Sequence, residues 1–176
     1  PIKSSAASDV YKRQAIAPVS EAAANAATVN VTDVAGASAE LLDSNGIAYE
    51  GDIPEGDVVE IKTSDVTGYA VSVSVTAGGI QIPLTADNKF IMPNQAVTVD
   101  VVYNALRSVS VSATGGSVEL YNAADNSVID PANYNSIPEG TVIGITATPD
   151  VAEQVAKITV VGATLDTDKN LFTVRD

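Results

Sequence analysis

The chain has 176 residues and a mass of 17.9 kDa, room for one ordinary domain or two small ones, and a hydrophobic fraction of 45% suffices for a packed core. Nine Lys plus Arg against 22 Asp plus Glu give a net charge of -13 and a pI near 4.1, so the positive surface that nucleic acid or an anionic membrane requires is missing. With no Cys and no His, thiolate and imidazole ligands, a Cys nucleophile and a His general base are excluded, and cysteine usage says nothing about the redox compartment.

Residues 1–14, PIKSSAASDVYKRQ, carry three of the nine basic residues and share nothing with the alternating pattern that follows. The run Ser4 to Gln14 resembles the in-frame translation of a sequencing-library adapter. We therefore set the segment aside as non-native and expect the gene to continue upstream. Residues 15–26, AIAPVSEAAANA, are small and Ala-rich, with the one plausible helical stretch around Glu21 to Ala27. They read either as an interdomain linker or as the remnant of a secretory signal peptide ending at Ala24-Asn25-Ala26. Neither 1–14 nor 15–26 is expected to contact the core. No segment approaches the length of a membrane span, so no membrane insertion is expected of this stretch.

From Ala27 onward the chain repeats itself. Ile53-Pro54-Glu55-Gly56 returns 84 residues later as Ile137-Pro138-Glu139-Gly140. Ser38-Ala39-Glu40-Leu41 matches Ser117-Val118-Glu119-Leu120 at an offset of 79, and Phe90 matches Phe172 at 82. Three landmarks in one order indicate two tandem units, 27–105 and 106–176. Each unit reads as strands. VSVSV at 71–75, VTVDVVY at 97–103 and SVSVSA at 108–113 alternate apolar and polar residues, and the 25 Val residues suit a half-buried pleated surface. Asp43-Ser44-Asn45-Gly46, Gly78-Gly79, Gly115-Gly116 and the two Pro-Glu-Gly corners supply the turns between them. The expected fold class is all-β: two tandem small antiparallel β repeat modules, each a sandwich or a grasp-like sheet. Only Thr173 to Asp176 follow Phe172, so the second unit, truncated at its C-terminus, is expected to lack a strand like Val97 to Tyr103 and to expose an apolar strip.

The order of these motifs resembles the divergent internalin B-repeat family and related bacterial surface repeat domains. Gly115-Gly116-Ser117-Val118, Glu139-Gly140-Thr141-Val142, Ile145-Thr146-Ala147-Thr148-Pro149 and Phe90-Ile91-Met92-Pro93 carry the likeness, which spans 27–176. Members typically place Gly-Tyr-x-Phe-x-Gly-Trp after the Thr-Pro, whereas here only Gly68-Tyr69 stands in the first unit and Trp is absent. The resemblance implies a module of secreted or cell-surface bacterial proteins, acting as a stalk, spacer or adhesive repeat rather than as an enzyme. Its partner would be a protein or glycan at the cell surface, and the intact parent a monomer. The alternative is a glycan- or protein-binding accessory module attached to a secreted enzyme or adhesin.

Candidate chemistry is sparse. Asp166-Thr167-Asp168-Lys169-Asn170 places oxygens at alternate positions as a calcium loop does, but Leu171 stands where that loop needs Gly and no acid follows at its twelfth position. Asp125, Asn126 and Asp130 could gather carboxylates, yet read as a wet polar loop. No carboxylate pair is singled out for glycosidic chemistry. Tyr49, Tyr121 and Tyr134, near loops, are the only aromatic candidates for sugar stacking, while Phe90, Tyr103 and Phe172 read as core. The Asn30-Val31-Thr32 sequon falls inside a strand. We expect no catalytic, cofactor-binding or metal-binding residues, and no cofactor.

Overall fold

The computed structural model describes residues 24–152, 157–161 and 163–175. The adapter-like segment and the Ala-rich segment up to Ala23 lie outside them. Among the described residues the fold is all-β, and the one helical piece is a 3₁₀ turn at Pro131–Asn133 capped by the Asp130 side chain.

The first half contains β1 (Ala24–Asn25), β2 (Ala27–Val31), β3 (Ala39–Leu42), β4 (Ile53–Pro54), β5 (Val58–Thr63), β6 (Tyr69–Ala77), β7 (Ile80–Ile82), β8 (Lys89–Ile91) and β9 (Val97–Arg107). β9 sits at the centre of one sheet. It pairs antiparallel with β6 from Val97↔Ala77 to Ala105↔Tyr69, and β6 turns back into β7. On its other side β9 pairs in parallel with β2, Ala27 beside Val97 and Val31 beside Val101. A second sheet has the order β3-β5-β8. The alternation in β9 sends Val97, Val99, Val101 and Tyr103 inward, all buried, to meet Leu41, Val59, Ile61 and Phe90 of the facing sheet. The result is a sandwich. Each fully buried Val, Ile or Phe contributes about 1.5–3 kcal/mol, so this shared apolar layer dominates the favourable terms.

The Tyr103 hydroxyl ties the two layers together at one end. It lies 2.8 Å from the Ser64 carbonyl oxygen, 3.1 Å from that of Ser38 and 2.9 Å from Ser64 Oγ. Ser64 in turn donates its hydroxyl to Gly36 O at 2.8 Å and accepts the Ser38 N–H at 2.9 Å. A buried phenol needs such partners, since an unpaired hydroxyl in an apolar layer is costly.

The second half contains β10 (Gly116–Asn122), β11 (Ile137–Pro138), β12 (Val142–Pro149) and β13 (Leu171–Thr173). The sheet β10-β12-β13 has the register of β3-β5-β8. Leu41 opposes Ile61 as Leu120 opposes Ile145, and Val59 opposes Phe90 as Ile143 opposes Phe172. Flanking backbone bonds match as well. Gly56 N–H donates to Met92 O and Met92 N–H to Asp57 O, while Gly140 N–H donates to Val174 O and Val174 N–H to Thr141 O. Both Pro-Glu-Gly corners place their glycine in the left-handed region, at φ 87 for Gly56 and 88 for Gly140, where a side chain would be strained. Leu120, Ile137, Ile143, Ile145, Phe172 and Val174 form the second buried cluster.

The halves meet through backbone. The last two residues of β9 pair with β11, Leu106↔Pro138 and Arg107↔Ile137. Glu139 N–H donates to Ala105 O at 2.8 Å, and Arg107 Nη2 and Nε reach Glu139 Oε2 at 2.7 and 3.1 Å. Within the first half β1 pairs with β4 in the same way, Ala24↔Pro54 and Asn25↔Ile53.

Four expectations change. Ala24–Ala26 belong to the fold rather than to a linker or leader remnant: β1 pairs with β4, and Asn25 Nδ2 donates to Pro93 O at 3.2 Å. The helix proposed around Glu21 to Ala27 is replaced over Ala24–Ala27 by strand, because pairing with β4 and β9 satisfies backbone groups that an isolated turn of helix would leave open. The modules are not wholly antiparallel, since β2 runs parallel to β9. Residues 108–113 alternate like a strand but form none, because no described segment lies beside them to pair their backbone.

Candidate functional site

The most concave surface lies at the open side of the first sandwich, where β2 of one sheet and β3 of the other diverge. Ala27, Val29, Ala39 and Leu41 form its apolar floor, and Glu40, Tyr49 and Asp52 its polar rim, around a volume of about 450 Å³. The small Ala residues leave the space that larger side chains would fill. Local backbone bonds hold the rim. Asp43 Oδ1 accepts the N–H groups of Asn45 and Ile47, both at 2.8 Å, closing the turn after β3, and Tyr49 N–H donates to Leu41 O at 3.0 Å. The Tyr49 hydroxyl donates to Asp57 Oδ2 at 3.0 Å, and burial together with that bond pushes its pKa up to about 12. Tyr49 therefore stays a neutral phenol at physiological pH, committed to a carboxylate, and its oxygen is a poor general base.

The carboxylates are arranged as structural acceptors. Asp43 is held below the usual carboxylate range chiefly by the Ile47 N–H, and Asp125 by the Ser127 hydroxyl, with Ser127 N–H adding to it. A general acid for glycosidic cleavage needs the opposite shift. In the loop read as calcium-like, Asp166 Oδ1 accepts Asp168 N–H at 3.1 Å and Lys169 N–H at 3.2 Å, and Asn170 takes φ 54. That is a capped turn, with the carboxylate turned back onto its own backbone. Asp130 caps the 3₁₀ turn through Ala132 N–H, and Asn126 takes φ 59 in the turn closed by Asn122 and Ser127. Asp125 and Asp130 thus serve separate turns. No group of three or more acids among the described residues could hold a metal ion.

The three tyrosines separate. Tyr49 lines the cleft. Tyr121 lies on β10 rather than in a loop, its ring over Gly144 in the space a Cβ would occupy, and Tyr134 packs half-buried against the second core. Asn30 of β2 donates to Asp100 Oδ1 across the parallel pair at 2.8 Å. Phe90, Tyr103 and Phe172 are buried. The cleft itself had no sequence signature, because its walls come from segments far apart in the chain and its rim residues fit no motif. No family model, curated protein or solved structure matches this chain.

Proposed function

We propose that the chain is a non-catalytic tandem β-repeat segment, a stalk, spacer or adhesive module, of a larger secreted or cell-surface bacterial protein. The observation that carries this reading is the shared register of β3-β5-β8 and β10-β12-β13, joined by a β9 that leaves one half and pairs into the next. Such a hand-over lets units follow one another in a row with each contacting its neighbour, which is the construction of a spacer. The acidic exterior keeps a row of units soluble and apart by mutual repulsion. Carboxylates spent on turns, and a tyrosine spent on Asp57, leave the cleft without activated groups for chemistry.

The test is display of a reporter adhesin on a bacterial surface with one, two or three copies of 24–175 beneath it. Adhesion that rises with copy number and is unchanged by Glu40→Ala plus Tyr49→Phe supports the spacer. Saturable binding of purified protein on a glycan array, abolished by that double variant, would replace it with the accessory binding module.

A further inference from the structure

In the first half β9 fills the gap between β2 and β6, its inner residues Val99 and Val101 0% and 1% exposed. The second half has segments matching both neighbours of that gap. The pairing of β1 with β4 and of the β9 end with β11 equates Ala24-Asn25 with Leu106-Arg107, an offset of 82 that lays β2 onto 109–113. Residues 157–161 precede the Asp166–Leu171 turn as β6 and β7 precede the Thr85–Lys89 turn, each turn closed by the same backbone bond, 2.8 and 2.9 Å long. Among the described residues neither 109–113 nor 157–161 belongs to a strand, and no strand lies between them. Their alternate residues Val109, Ile158 and Val160 nonetheless pack on the second core, while Val111 and Val161 stand 37% and 94% exposed. Two flanks are in place and the middle is open.

We propose that the second half is a strand acceptor whose slot takes one extended segment of the β9 kind, presented by another polypeptide, parallel to 109–113 and antiparallel to 157–161. The occupant is defined by what fills the equivalent gap: β-branched residues at alternate positions with an aromatic two places on, as in Val97, Val99, Val101 and Tyr103. In register, its Val97 equivalent lies beside Val109 and its Val101 equivalent beside Ala113. Main-chain bonds supply affinity and the alternate pockets supply selectivity, the logic of β-strand addition. This inference rests on strand register alone and holds whether the parent is a spacer or a binding module.

The experiment titrates the ¹⁵N-labelled full chain with a synthetic peptide of sequence 95–106, QAVTVDVVYNAL. The expected result is saturable binding, with shifts and slowed amide exchange concentrated in 109–113 and 157–161 and cross-peaks between peptide Val97 and protein Val109. Peptide with Asp at the Val99 and Val101 positions should not bind. Val111→Pro changes an exposed residue, so it should leave the fold intact while weakening binding by about tenfold or more, since proline gives the ladder no N–H. The proposal is overturned by no saturable binding, by binding indifferent to Val111→Pro, by shifts centred on the free edges of β2 or β7, or by a protein that is already a dimer with 109–113 protected.

Discussion

Replacing Tyr103 with Phe removes one oxygen and its hydrogen from the hub that fastens the two layers of the first sandwich. The residue is 3% exposed and Phe fills the same volume, so neither a cavity nor a strained rotamer enters the balance. What is lost is a hydroxyl within 3.1 Å of two carbonyl oxygens and Ser64 Oγ. Ser38 O keeps the Ser64 N–H at 3.0 Å, and Ser64 Oγ keeps the Ser38 N–H, so the Ser64 carbonyl bears most of the loss. One neutral hydrogen bond contributes about 1 kcal/mol net, and a carbonyl left short of a donor in a half-buried place adds a fraction more, giving about 1.5 kcal/mol. For a chain of this size that lowers Tm by about 3–6 °C. Urea unfolding followed by far-ultraviolet circular dichroism measures it through the midpoint at constant slope. In a double-mutant cycle with Ser64→Ala the two losses should be less than additive, by about 0.5 kcal/mol or more, because both report the same hub. A loss below about 0.3 kcal/mol would show that the hydroxyl fastens nothing, and one above about 3 kcal/mol that the ring, rather than the hub, is what the substitution disturbs.

Phe90→Ala and Phe172→Ala empty equivalent positions, but Phe90 belongs to a cluster of twelve buried residues and Phe172 to one of six. We expect about 4 kcal/mol for the first and about 3 kcal/mol for the second, where neighbours can collapse further, and equal losses in calorimetry would contradict that ordering. Gly144→Ala puts a methyl group where the Tyr121 ring lies and should cost about 1–3 kcal/mol, with Tyr121→Ala in the same molecule recovering part of it; no change in urea midpoint would show that the ring is not seated there. Because Tyr49 ionises near pH 12 in the fold and near 10 when unfolded, its contribution is complete below pH 10 and is lost as pH rises from 10 to 12. Stability measured across that window should fall less steeply in Tyr49→Phe than in the parent chain, and identical slopes would remove the shift.

Much of this architecture was legible as local pattern. The alternation of Val97, Val99, Val101 and Tyr103 names its own buried face, and Ile53, Ile137, Phe90 and Phe172, read as matched landmarks, occupy matched buried positions. Pairing partners were not legible. Alternation fixes which way side chains point but not which strand lies alongside or in which direction, so the parallel approach of β2 to β9 and the two-residue strand β1 passed unseen. The same limit explains 108–113, where a strand pattern without an adjacent backbone yields no strand. The cleft required Ala27, Ala39 and Tyr49 to be brought together by two sheets, and Tyr49's commitment to Asp57 depends on a contact eight residues away that follows no motif.

The account stands most directly on the claim that one three-stranded register is built twice. In β5-β8 the bond from Met92 N–H to Asp57 O makes Val58/Ile91 and Glu60/Lys89 the close, non-hydrogen-bonded pairs, and the bond from Val174 N–H to Thr141 O does the same for Val142/Thr173 and Gly144/Leu171. Nuclear Overhauser spectra of the isotopically labelled chain should show strong Hα–Hα cross-peaks at all four pairs. Cross-peaks at Val58/Ile91 and Glu60/Lys89 alone, with β12 and β13 paired in another register or not at all, would contradict it.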